Sequence, residues 1–130
     1  MANAVLVDSN YYIGRLRADL DPFAELAAHD EQWEPVTCGM VMLEVLRGVR
    51  HAKDYTLYRE TFEVMTCVPT TSRIWTSATD LLRDLARRGI TIPPQDALIA
   101  ASAFAIDAPV LTFDSHFAHV RGLTVIDALD

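Results

Sequence analysis

Apolar residues along this chain fall into short compact segments that alternate with longer stretches in which they recur every three or four positions. The short segments are "AVLVD" (4–8), "EPVT" (34–37), "MTCVP" (65–69), "PVLTFD" (109–114) and "LTVI" (123–126), and they predict β-strands. The longer stretches predict helices over 9–19, 21–32, 39 to about 48, 53–64, 71–88 and 95–106, with one helical turn at 115–120. Local chemistry marks several starts and stops. Asp8 or Ser9 caps the first helix, Asp21 caps the second with Pro22 at its first position, and Gly89 ends the long one. Within 71–88, a stripe of Ile74, Trp75, Ala78, Leu81, Leu82, Leu85 and Ala86 is expected to face a core. The 95–106 segment is apolar almost all round and should be buried.

Short strands alternating with helices describe an α/β domain with a mainly parallel sheet and helices on both faces. No repeat, low-complexity tract or Gly/Ser linker interrupts residues 1–130, which are expected to form a single domain. Sheets of this kind bind ligands beyond the carboxyl ends of their strands. Two predicted strands end there in an acid, "LVD" at Asp8 and "LTFD" at Asp114.

A third acid stands out for its surroundings. In "GMVMLEVLRGV" (39–49), Glu44 is enclosed by Val41, Met42, Leu43, Val45 and Leu46. An ionised carboxylate needs compensation in such a place. Arg47, at i+3, offers a surface ion pair worth only a few tenths of a kcal/mol. The alternative is a cationic site shared with other acids. Asp96 is the fourth candidate, in the first turn of the buried helix after Pro93-Pro94, where the helix macrodipole also favours negative charge. Asp8 and Asp114 have capping roles open to them as well. Four carboxylates in one pocket repel one another, and a divalent cation removes the conflict; hard oxygen donors select Mg²⁺ or Mn²⁺ over zinc.

Composition adjusts the reading without deciding it. The net charge of −7 argues against a nucleic-acid partner unless several acids converge on a cation. Two cysteines, Cys38 and Cys67, are too few for a disulfide framework or a zinc site, and are expected to be small core residues in a reducing compartment. No apolar stretch approaches a membrane span, and the start lacks the pattern of a signal peptide, so a cytoplasmic location is expected.

Four segments in this order, "VLVDSNYYIGRL", "MVMLEVLRG", "IPPQDALIAASA" and "VLTFDSHFAHV", resemble the PIN-domain family, and within it the VapC-type toxins of toxin–antitoxin pairs. The resemblance implies a three-layer α/β/α sandwich with a mainly parallel central sheet and a Mg²⁺- or Mn²⁺-dependent ribonuclease. It makes Asp8, Glu44, Asp96 and Asp114 the acidic, metal-binding centre, with the hydroxyls of Ser9 and Thr112 in support. It further implies a cognate antitoxin that blocks the site, and commonly a homodimer. Many relatives carry one more acid shortly after the last aspartate; this chain has His116 there, which puts a full second metal site in doubt. For His116 a surface or packing role is expected, against contact with a phosphate or product.

An RNA substrate also needs cations away from the metal. Arg47, Arg50 and Lys53 cluster just after Glu44 and are the first choice to meet RNA phosphates, while Arg15, Arg17, Arg87 and Arg88 have solvated faces or ion pairs as the competing account. Tyr11, Tyr12, Tyr55, Tyr58 and Phe62 divide between core packing and a docking surface. Rival enzymes fit less well: a haloacid-type phosphatase needs Asp where Asn10 stands, and a receiver domain needs a lysine near the last strands, whereas Lys53 is the only lysine. The alternative of another class is a non-catalytic PIN-like binding or scaffold module, which usually lacks one or more of the four acids.

Overall fold

A computed structural model describes residues 2–130. Its strands are β1 (Asn3–Val7), β2 (Trp33–Cys38), β3 (Thr66–Val68), β4 (Val110–Leu111) and β5 (Val125–Ile126). Every pairing between them is parallel, in the order β3-β2-β1-β4-β5. The central strand β1 places Leu6 opposite Val36 on one side and Val110 on the other. Val5, Leu6 and Val7 are fully buried, which explains why their run is continuously apolar rather than alternating.

The helices are α1 (Ser9–Arg17), α2 (Pro22–Ala27), α3 (Gly39–Leu46), α4 (Ala52–Glu63), α5 (Ser72–Arg87) and α6 (Pro94–Ala105). From β1 the chain steps through β2 to β3, then crosses back to β4 on the other side of β1. With the crossover hand that parallel sheets adopt, this order puts α1–α4 on one face, where Tyr12, Phe23 and Phe62 meet, and α5 packed along α6 on the other, giving three layers. The reversal makes the gap between the ends of β1 and β4 the topological switch point, where α/β sheets accept ligands.

Capping chemistry sets the helix starts. Asp21 accepts the Phe23 and Ala24 N–H groups, and Thr71 accepts that of Ile74. Gly89, at φ +73°, supplies the left-handed residue that stops α5. Helix α6 is buried from Asp96 to Ala103. Its alanines let α5 lie close along it, and the Ser102 hydroxyl is satisfied by donating to the Leu98 carbonyl at 2.8 Å. Tyr12, Phe62 and Phe117 are the largest fully buried side chains, and the Tyr12 and Phe62 rings meet edge to face at 5.1 Å.

The structure departs from the sequence pattern in several places. On α5, Ile74, Ala78 and Leu85 are buried and Leu81 and Leu82 half-buried, but Trp75 is 55% exposed and Ala86 is exposed too. Each lies one residue, about 100° of rotation, beyond a buried position, so the real stripe is narrower. Cys38 is buried, whereas Cys67 is exposed on the edge strand β3. Helix α2 stops at Ala27, short of the expected end. Strand β4 is also shorter than expected. Thr112 N–H still reaches the Ile126 carbonyl of β5, but Phe113 N–H donates to Asn10 Oδ1, and the chain leaves the sheet there. Asp114 therefore lies in a loop beyond β4. Tyr11, Tyr12 and Phe62 belong to the core, Tyr58 is half-buried and Tyr55 exposed. Among the described residues no helix is long and apolar enough to cross a membrane.

Candidate metal centre

Asp8 follows β1 directly at the switch point and is 2% exposed. It caps α1 by accepting Ser9 N–H on Oδ1 at 2.8 Å, and it accepts the Thr112 hydroxyl on Oδ2 at 2.8 Å. These are neutral donors; no Lys or Arg pairs with Asp8 among the described residues. Burial, reinforced by the charges of Asp96 and Glu44, pushes its carboxyl up to about 6 despite those two hydrogen bonds.

Glu44 is half-buried near the end of α3. Its compensation comes from Ser9, whose hydroxyl donates to Glu44 Oε1 at 3.1 Å and also lies 3.4 Å from Asp8 Oδ1. Arg47 forms no ion pair with it among the described residues, although its charge helps to hold the Glu44 carboxyl down. Burial and the charge of Asp96 outweigh that help and raise Glu44 above the ordinary range. The surface ion-pair account of Glu44 therefore gives way to contact with the acidic centre.

Asp96 sits in the first turn of α6 and is 9% exposed. Burial first, then the charge of Asp114, raises its carboxyl, while a contact with His116 lowers it. The charge of Asp96 thus bears on Asp8 and Glu44, and the charge of Asp114 bears on Asp96. Asp114 caps the single 3-10 turn Ser115–His119 by accepting His116 N–H at 2.9 Å. That cap brings the His116 ring back over the acids: Nδ1 lies 2.8 Å from Asp96 Oδ2 and 3.1 Å from Asp114 Oδ1. His116 is therefore neither a packing nor a free surface histidine, contrary to the sequence expectation. Its ring is raised above the ordinary histidine range, first by the bond to Asp96 and further by the charges of Asp114, Asp96 and Asp8.

Thr112 ties the two halves of the centre together. Its hydroxyl accepts Asp114 N–H at 2.9 Å and lies within donating distance of both Asp8 Oδ2 and Asn10 Oδ1. Asn10 is a residue that sequence reasoning missed; it anchors the 112–114 loop to α1 through Thr112 and Phe113. The available signal was its place two residues after Asp8, at the foot of a helix that begins at the switch point.

The donor set fits a hard divalent cation. The four carboxylates are coupled by charge near the switch point, Asp96 with Asp8 and Glu44 and Asp114 with Asp96, and one cationic His116 would still leave three negative charges uncompensated. The nearest donors, on Asp96, Asp114 and His116, lie within 4.8 Å of one another. Asp8 and Glu44 join that trio through charge, Ser9 and Thr112 rather than through the same tight cluster. Among the proposed phosphate contacts, Arg47, Arg50 and Lys53 are all exposed around the α3–α4 junction. Arg15 instead pairs with Glu25, and Arg88 with Asp84.

A parallel five-stranded α/β domain with carboxylates gathered at its switch point is the class defined by this fold and site. The model of the PIN domain matches residues 5–123, and the chain belongs to that family. No curated protein matches by sequence. Among solved structures, the chain resembles VapBC2 from Rickettsia felis bound to a DNA fragment from their promoter, with TM-score 0.79 and 16% identity over 95% of this chain and 98% of that one. VapBC-1 from nontypeable Haemophilus influenzae gives TM-score 0.78 at 17% identity, covering 96% of this chain and 98% of the other. VapBC-5 from Mycobacterium tuberculosis gives 0.66 at 22%, covering 96% and 98%. At such identities these matches establish the shared fold.

Proposed function

We propose that this PIN domain is a Mg²⁺- or Mn²⁺-dependent endoribonuclease, the toxin of a toxin–antitoxin pair. The observation that carries the reading is Asp8: a carboxylate almost fully buried at the switch point, facing further acids and lacking a cationic side-chain partner among the described residues. Asp8 and Asp96 would hold the ion, and Asp114 would complete the site. A divalent ion supplies an acidified water and neutralises charge on the phosphoryl oxygens.

The chain's own groups do the positioning. Ser9 fixes the Glu44 carboxylate, which then orients the attacking water. Thr112 holds Asp8 and the Asp114 loop in mutual register. Arg50 and Lys53, with Arg47, bind phosphates on either side of the cut. No covalent intermediate is invoked: the Ser9 hydroxyl, which donates to Glu44 Oε1, is assigned to holding that carboxylate and not to attack.

The resemblance to VapBC structures supports a cognate antitoxin as partner, and a homodimer of the nuclease and a cytoplasmic location complete the proposal. Apolar side chains in solvent, including Leu43, Leu57 and Trp75, offer area for such contacts. Purified protein incubated with end-labelled RNA tests the activity. Cleavage in Mg²⁺ or Mn²⁺, abolished by EDTA and by Asp96→Asn, supports the reading. RNA left intact under every metal condition would make the domain a binding module.

A further inference from the structure

We propose that His116 ligates the divalent ion through Nδ1, making this a mixed nitrogen–oxygen centre that prefers Mn²⁺ to Mg²⁺. The inference rests on the metal-centre reading above and adds a ligand that the four-acid set does not contain.

Geometry carries it. An ion with bonds of about 2.1 Å holds neighbouring octahedral ligands about 3 Å apart. Nδ1 already stands 2.8 Å from Asp96 Oδ2 and 3.1 Å from Asp114 Oδ1, the spacing of adjacent corners. The position is pinned by the backbone, since His116 N–H is committed to Asp114 Oδ1 at 2.9 Å. From that anchored backbone the ring is turned toward the acids, with Nδ1 facing both carboxylates. Its side chain stays 42% exposed, so an ion and its waters can approach from solvent. The ion would take the position between Nδ1 and the two carboxylates that their mutual contact now fills.

Imidazole nitrogen is a softer donor than carboxylate oxygen. Mn²⁺ accepts it more readily than Mg²⁺, which favours oxygen and water, and the later transition metals accept it more readily still. Substituting histidine for an acid at this corner also removes one negative charge. The lost charge weakens the site for both ions, while the nitrogen donor weakens it for Mg²⁺ more than for Mn²⁺.

The test uses the full chain stripped with EDTA and reloaded with Mn²⁺, read by calorimetry and by pulsed electron paramagnetic resonance, which detects ¹⁴N bonded to Mn²⁺. Wild type should bind Mn²⁺ more tightly than Mg²⁺ and show a directly coordinated imidazole nitrogen. His116→Ala should lose that signal and at least about tenfold in Mn²⁺ affinity. His116→Asp should also lose the signal but recover Mg²⁺ binding, shrinking the Mn²⁺-to-Mg²⁺ ratio. Mn²⁺ bound by wild type without a nitrogen signal would overturn the ligand assignment and leave the metal centre standing. Tighter Mn²⁺ binding by His116→Ala would do the same and mark His116 as a counter-ion that competes with the metal. Failure of wild type to bind Mn²⁺ at all would remove both proposals.

Discussion

Thr112 Oγ1 lies 2.8 Å from Asp8 Oδ2, joining residues 104 positions apart in sequence, and the same oxygen accepts the Asp114 N–H at 2.9 Å. One hydroxyl thus sets two carboxylates of the centre in register. Thr112→Val keeps the shape and removes both hydrogen bonds. It should cost about 1–3 kcal/mol, measured by urea unfolding in EDTA, because buried partners are left unsatisfied. Mn²⁺ affinity should fall in parallel.

Asp8 makes the metal-free protein sensitive to pH. Its carboxyl is raised in the folded state from 3.8 to about 6, so the native protein holds this proton more tightly than the unfolded chain does. The resulting stabilisation is complete below pH 3.8 and is lost as pH rises through 6. Two pKa units correspond to about 3 kcal/mol. Asp8→Asn should therefore stabilise the EDTA-treated protein by an amount of that order at pH 7.5 and have little effect at pH 4. The amide can still accept Ser9 N–H and donate to Thr112, which then donates to Asn10. Urea unfolding at the two pH values checks the sign; a variant less stable than wild type at pH 7.5 would oppose it.

The Tyr12 hydroxyl is buried without a partner among the described residues, in a side chain that is 0% exposed. Tyr12→Phe removes an unsatisfied donor and keeps the ring contacts with Phe23 and Phe62. Thermal unfolding should show a variant at least as stable as wild type, with a gain of up to about 2 kcal/mol.

Arg50 and Lys53 are exposed around the α3–α4 junction and serve the RNA rather than the metal in this account. Reversing both to Glu should weaken RNA binding and leave Mn²⁺ affinity unchanged. If both contact phosphates, the slope of log affinity against log salt should become shallower by about 0.7 per lost contact, or more where the new acids repel the strand. Filter binding across a salt series with a catalytically silenced variant reads both effects.

Much of this architecture is legible in the sequence because each signal has a local cause. Val5–Val7 read as a buried strand through their unbroken apolar run, and Pro22 and Gly89 punctuate helices by backbone chemistry alone. Glu44 points to the site because its apolar neighbours leave a carboxylate no comfortable exit. What escapes is determined by contacts between distant segments. Trp75 fits the apolar period of α5 yet finds no neighbouring layer to cover it. Asn10 looks like an ordinary turn residue until the 112–114 loop closes onto it. His116 is reoriented by the Asp114 cap, a feature visible only once the 3-10 turn forms.

The most direct test is diffraction from crystals soaked in Mn²⁺, recorded for anomalous scattering. The account predicts a peak contacting the carboxylates of Asp8 and Asp96, with Asp114 beside it. Well-ordered carboxylates with no anomalous peak between them, at a Mn²⁺ concentration that supports RNA cleavage, would contradict it.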